Sequence, residues 1–382
     1  MLSAGLGRFF DNIFSVWDFT TMDQNIAVAE SDVRHLRFSF SGRAVEYFGI
    51  WIVNLLLSII TLGIYTAWAK VRRLRYFYGN TWLDGHNFEY HARPVSILIG
   101  RVIVVALLVA YNLLVTISPF FGLLVIVYLL AFPWLLNKSM AFNARMTSYR
   151  NVRLNFGGTY FGALGVFVLM PLATLLSLGL LAPVASRLAN NYIGRHLGYG
   201  TARFDTRAPL GALYANLGAT IMFVMLVAVV CSGLGFLIGT GTASLGELAE
   251  GSEEALYEFI SRGPIIGAII GGYIALTLAY LFYAAGVRNV AYNHTTLDGT
   301  HRLSSEVGRF RYVWILVSNL FATLLTLGLL RPWAAVRTWR YLAASTGFVV
   351  VGSLDHFVDG AAPEGNVGAA EFFDIEGIDF GL

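Results

Sequence analysis

The chain has 382 residues, 57% of them hydrophobic and only 13% charged, against about 25% charged in soluble domains, so a bilayer is the expected solvent for much of it. A net charge of +3, with no basic arm and no zinc pattern, excludes nucleic acid as a partner. The single cysteine, Cys231, sits in an apolar run, which excludes an internal disulfide and gives no sign of redox work.

The first residues, MLSAGLGRFFDNIFSVWDF, are broken by Asp11, Asn12 and Asp18, too polar for a secretory signal; a short interfacial helix is expected over 5–17. Seven apolar stretches follow, near 46–66, 97–116, 120–142, 160–182, 213–239, 265–287 and 311–330, each close to the length that spans a bilayer. Simple alternation across the membrane fits the charges badly. It puts Arg187, Arg195, Arg203 and Arg207 outside and the glutamates of 240–264 inside, whereas Lys and Arg collect on cytoplasmic flanks.

An internal repeat resolves the conflict. SIITLGIYTAWAKVRRLRY (58–76), TLLSLGLLAPVASRLANNY (174–192) and TLLTLGLLRPWAAVRTWRY (323–341) align without gaps on Gly63, Gly179 and Gly328. Trp68 matches Trp333, Arg72 matches Arg337, Arg75 matches Arg340, and Tyr76, Tyr192 and Tyr341 close the block; Asn54 and Asn319 match nine residues before the glycine. Glycine ends helices and proline, here Pro183 and Pro332, begins them. Each unit therefore reads as helix, break, helix, and its second helix carries an interfacial amphipathic stripe. If each unit dips into the membrane and returns, every arginine-rich flank is cytoplasmic. Two transmembrane hairpins remain, within 97–142 and 213–287. Conventional spans stay open as the alternative, since a tilted helix of about 20 residues still crosses.

Short alternating stretches between these segments, LRFSF (36–40), HNFEY (86–90), VRLNF (152–156), TARFD (201–205) and FVVVGSLD (348–355), read as half-buried strands, with ordinary loops as the alternative. The turns at Leu83-Asp84-Gly85 and Leu297-Asp298-Gly299 suit hairpins. The expected fold is an α-helical polytopic membrane protein with internal repeats, three helix-break-helix units plus two transmembrane hairpins, and a small cytoplasmic β-structure built from short strands. The boundaries follow: an N-terminal amphipathic segment (1–33), unit 1 (34–95), hairpin 1 (96–143), unit 2 (144–212), hairpin 2 (213–287) with an acidic outer loop (240–264), unit 3 (288–357) and an acidic tail (358–382).

The block EYFGIWIVNLLLSIITLGIYTAWAKVRRLRYFYGNTWLDGHNFEY (46–90) and the terminal DIEGIDFGL resemble the YjgN family of bacterial inner-membrane proteins. The resemblance implies a multi-pass protein of the bacterial inner membrane and carries over no catalytic or ligand residues.

The seven histidines form no HExxH, no CxxC accompanies them, and no G-x-S-x-G occurs, so neither an enzyme nor a cofactor is expected. Gly263, Gly267 and Gly271 have the small-residue spacing of close helix packing. Arg101 and Lys138 are charges near the ends of apolar segments and read as snorkelling. The leading expectation is a cavity framed by the repeat units that handles a lipid or small solute, with Asn54, Asn319, Trp68, Arg72, Arg75, Trp333, Arg337 and Arg340 as ligand or anionic-headgroup contacts. The alternative is a non-catalytic scaffold that recruits a protein partner through its cytoplasmic face or its acidic tail.

Overall fold

The computed structural model describes residues 33–250 and 253–362, with side chains outside 238–264. The interfacial helix expected over 5–17 and residues 363–382 of the acidic tail lie outside the described residues. Strands β1 (Val33–Arg37) and β2 (Ser39–Phe40) lead into helices α1 (Ala44–Ile60) and α2 (Thr66–Gly79), and the chain returns through the hairpin β3 (Thr81–Leu83) and β4 (His86–Tyr90). The same plan recurs four times. Helices α3 (Pro94–Ile117) and α4 (Leu124–Arg145) precede β5 (Thr147–Tyr149) and β6 (Val152–Phe156). Helices α5 (Tyr160–Leu164) and α6 (Met170–Leu176), joined by a π-helical turn, and α7 (Ala182–His196) precede β7 (Leu197–Tyr199) and β8 (Ala202–Thr206). Helices α8 (Leu210–Glu250) and α9 (Glu253–Asn293) precede β9 (Thr295–Leu297) and β10 (His301–Ser305), and α10 (Arg309–Leu325) and α11 (Arg331–Ala344) precede β11 (Thr346–Val351) and a final helix α12 (Leu354–Ala361).

The strands do not make the small β-structure expected from sequence. They form one 11-stranded antiparallel sheet in the order β1-β11-β10-β9-β8-β7-β6-β5-β4-β3-β2. Its two ends, β1 and β2, are separated in the chain only by Phe38, whose N–H donates to the Thr346 carbonyl at 3.1 Å. The sheet is thus a near-closed barrel, and closure removes the exposed edges that short strands leave. The expectation failed because five of these strands have only two or three residues, too few for alternation to be read, and because closure pairs Val33 with Val351. The Asp84-Gly85 turn has positive φ at both residues, 47° and 76°, and its two-residue loop brings Leu83 opposite His86, as in a type I′ hairpin.

Every helical excursion leaves and returns between paired strands: β2 and β3, β4 and β5, β6 and β7, β8 and β9, β10 and β11. The three repeat units and the two hairpins thus share one strand–helices–strand plan, five units around one sheet. Neighbouring units touch around the ring, α2 on α3, α4 on α5, α7 on α8, α9 on α10 and α11 on α1. The two long units supply four helices long and apolar enough to cross a membrane, Pro94–Ile117, Pro119–Arg145, Leu210–Leu237 and Ile265–Asn293. Helices α8 and α9 have 41 residues each, about 60 Å at 1.5 Å per residue, twice the hydrocarbon thickness. The acidic stretch 240–264, read as a loop, continues these helices to 250 and from 253. At Gly267 and Gly271 an added Cβ would collide with Cys231, which accounts for the glycines as packing residues.

Inward-facing residues recur at two positions per unit. Leu83, Tyr149, Tyr199, Leu297 and Phe348 come from the strands that follow the helices; Phe38, Phe88, Leu154, Phe204 and Leu303 come from their partners. They enclose an apolar cavity of about 120 Å³ that α12 closes with Leu354, Phe357 and Val358. The Thr201 N–H donates to the Ala361 carbonyl at 2.9 Å and Arg150 pairs with Asp355 at 2.6 Å, holding that helix in place.

The helix breaks follow one chemistry in the three short units. Leu62 and Gly63 have φ of 48° and 92°, Leu178 and Gly179 of 51° and 88°, Leu327 and Gly328 of 51° and 93°. The preceding hydroxyl, Thr61, Ser177 or Thr326, accepts the N–H of Tyr65, Leu181 or Leu330 at 2.9–3.1 Å, supplying the cap that the second helix otherwise lacks. Leu62, Leu178 and Leu327 are 94%, 94% and 96% exposed, so each break presents an apolar tip. The closing tyrosines fasten each unit at its base. The Tyr76 hydroxyl accepts the Arg43 N–H at 2.7 Å and donates to the Arg43 carbonyl, Tyr341 does the same at Gly308, and Tyr192 donates to the Thr159 carbonyl at 2.9 Å. All three partners are the residues that cap the first helix of the unit.

Candidate functional site

The residues shared between copies prove to be ties within and between units. Arg72 donates to the Asn54 side chain at 3.4 Å and to the Tyr65 hydroxyl at 3.0 Å. Arg337 donates to Asn319 at 3.0 Å and to Ser318 at 2.7 Å, with its guanidinium 5.1 Å from the Trp333 ring. Asn319 donates in turn to the Ala334 carbonyl and to Thr338. Both asparagines are buried, and each pins the two helices of its own unit together. Trp68 stacks on Tyr65 at 6.0 Å.

Arg75 and Arg340 reach the next unit instead. Arg75 donates to the carbonyls of Tyr90 and Ala92, and Arg340 to that of Gly42. Ala92 and Gly42 each lie four residues beyond an inward-facing phenylalanine, Phe88 and Phe38. In the third unit Asn191 takes the arginine's place and accepts the Ala208 N–H, four residues beyond Phe204, at 3.1 Å. The repeated polar residues thus hold the ring of units together.

A second set of polar residues, absent from the repeat, converges elsewhere. A cavity of about 730 Å³ lies where the fifth unit meets the first and second. Four cations line it: Lys70 and Arg73 from α2, Arg101 from α3 and Arg331 from α11. Tyr47, Trp51 and Asn54 complete much of the wall, and Asn54 is the one sequence-predicted contact that reaches it. A volume of this size accommodates a small-molecule ligand.

The electrostatics are unbalanced. Among the described residues no carboxylate makes an ion pair with any of the four cations. Arg101 donates to the Thr66 hydroxyl, a neutral acceptor. Burial, and then the neighbouring Arg101 charge, hold the Lys70 ammonium below its ordinary pKa. Counted along their helices, the cations sit roughly 10–20 Å from the barrel strands. The arrangement can attract and hold an anion.

The sequence marked this site faintly. Arg101 is an isolated charge in an apolar run, and Arg331 follows directly on a helix break; both look like residues that snorkel. Only the packing of α11 on α1 and of α2 on α3 brings them together. Among the described residues no cluster of three His, Cys, Asp or Glu has the geometry of a metal site.

A family model described as a bacterial protein of unknown function (DUF898) matches residues 35–375. The chain is similar to the inner membrane protein YjgN of Salmonella typhimurium, 25% identical over 369 residues that cover 87% of this chain and 92% of the relative. It is also similar to the proteins of the same name in Escherichia coli O157:H7 and K12, 30% identical over 165 residues, 42% of this chain and 41% of each relative. No solved structure matches the chain.

Proposed function

From a chain that belongs to the DUF898 family and is a multi-pass protein of the bacterial inner membrane, we propose that it binds a lipid or small solute in the cavity between its fifth, first and second units, without catalysis. The observation that carries this reading is the 730 Å³ cavity lined by four cations with no carboxylate partner among the described residues. Its wall offers Tyr47, Asn54, Ser58, Thr66, lysine and arginine, but no carboxylate, imidazole or thiol. Such a set suits binding and orientation better than proton transfer or nucleophilic attack. The flanking residues of α1 face outward with Leu56 53% and Ile59 62% exposed, so an occupant with an apolar portion has lipid beside it.

The test is native mass spectrometry of the full-length protein extracted from its membrane. A retained adduct that is lost in Arg101→Gln/Arg331→Gln supports the reading. An unchanged adduct in that variant, or none in either protein, contradicts it. Deleting residues 365–382 separates this reading from recruitment of a protein partner by the tail, because a cavity binder keeps its adduct.

A further inference from the structure

Resting on the cavity reading above, we infer that the group recognised there is a phosphate-type polyanion bearing at least two negative charges, gripped jointly by Lys70, Arg73, Arg101 and Arg331. The five-unit alignment separates architecture from function. Arg101 lies thirteen residues beyond Phe88, and the equivalent positions after Phe38, Leu154, Phe204 and Leu303 are Trp51, Phe167, Leu217 and Leu316. Arg331 corresponds to Thr66 and Ala182, Lys70 to Ala335 and Ser186, and Arg73 to Thr338 and Ala189. None of the four cations is therefore required by the repeat. They stand where one side of the ring departs from its own pattern, and they come from three units to one cavity.

The charge count sets the ligand class. A carboxylate matches one arginine fork, whereas a phosphate or diphosphate offers several oxygens in several directions and accepts from arginines and a lysine at once. Four cations around one void leave an excess that a monoanion does not offset. The repeat's own arginines Arg72, Arg75, Arg337 and Arg340 are already committed to protein acceptors, whereas of the four cations of this cavity only Arg101 has such an acceptor among the described residues, the Thr66 hydroxyl.

The chemistry is shared by a lipid headgroup and by a free phosphate compound, and one experiment separates them. Full-length protein in phosphatidylcholine nanodiscs is titrated with cardiolipin, with phosphatidylglycerol and with soluble pyrophosphate, read by native mass spectrometry and by thermal shift. We expect binding in the order of phosphate charge and, in Arg101→Gln or Arg331→Gln, a loss of roughly ten- to hundredfold, as for removal of a hydrogen bond to a charged group. Arg101→Lys retains most of the binding. Arg195→Gln, on an exposed arginine paired with Asp205, leaves it unchanged. Cardiolipin binding that pyrophosphate does not displace identifies a headgroup; binding of pyrophosphate alone identifies a soluble phosphate compound; either supports the inference. Equal binding of phosphatidylcholine, or full binding by the glutamine variants, overturns the polyanion while leaving a cavity ligand in place. The absence of any adduct or shift overturns the cavity reading as well.

Discussion

Replacing the closing tyrosines by phenylalanine tests how the units are built. In Tyr341→Phe the ring stays and only the hydroxyl goes, removing one bond accepted from the Gly308 N–H at 2.8 Å and one donated to its carbonyl at 3.2 Å. A hydrogen bond contributes about 1 kcal/mol net, so the pair is worth about 2 kcal/mol, less where water replaces it at this exposed site. Tyr76→Phe removes the equivalent pair at Arg43 together with a bond to Glu46. Tyr192→Phe leaves the Thr159 carbonyl with Asn137 but strips the Asn137 oxygen of its tyrosine donor. The three sites lie in different units, so their effects should add to within about 0.5 kcal/mol. The triple variant is expected to lose roughly 3–6 kcal/mol, from about 1–2 kcal/mol at each site. Unfolding in detergent micelles followed by tryptophan fluorescence measures it, with the single variants alongside. A triple variant no less stable than Tyr341→Phe would refute the idea that these hydroxyls clamp each unit to the barrel.

Three further outcomes follow from the same structure. Gly328→Ala has no atom within 4 Å of the new Cβ but φ of +93°, so it should cost only backbone strain, about 1–2 kcal/mol; Gly200→Ala adds a collision with the Ala361 carbonyl and should be the worse by thermal unfolding. His301 is buried, its Nδ1 accepts the Val351 N–H at 3.2 Å, and burial holds its pKa below the ordinary value. Its neutral form is favoured in the fold, so stability should fall as pH drops below about 6.5 and level off beneath the folded pKa; His301→Gln should flatten that slope in denaturant titrations from pH 8 to 5. Finally, with Cys231 replaced, single cysteines at Asn80, Ser252 and Ser345 exposed to an impermeant thiol reagent on intact cells should label only at 252; labelling at 80 or 345 would mean that a short unit crosses the membrane.

What the chain reveals of itself depends on how local the chemistry is. The break glycines were legible because a positive φ restricts the residue at one position, and the tyrosines because their partner lies a fixed distance back in the same unit. The second and fourth units hid their kinship. Pro133 stands sixteen residues before Tyr149, as Pro183 and Pro332 stand before Tyr199 and Phe348. But Leu129 replaces the break glycine, Arg101 stands where other units carry an apolar residue, and 41-residue helices stretch the spacing of Phe204 and Leu303. The stretch 240–264 looked like a loop for its glutamates, yet glutamate is a good helix former and the helices run on. Five of the eleven strands, such as Thr295–Leu297, are too short to show a period. The cationic cavity was least legible, because its charges are brought together by three helices from three units.

Ring closure also has a consequence for biogenesis. The strand Val33–Arg37 that completes the barrel is synthesised about 300 residues before its partner Thr346–Val351. Until synthesis is nearly finished, the first and tenth strands both stand as open edges of the kind that invite wrong pairing. The transmembrane hairpins must therefore be in the bilayer before the domain they carry has a boundary. A premature stop between residues 294 and 345 leaves all four candidate spans attached to a sheet that cannot close.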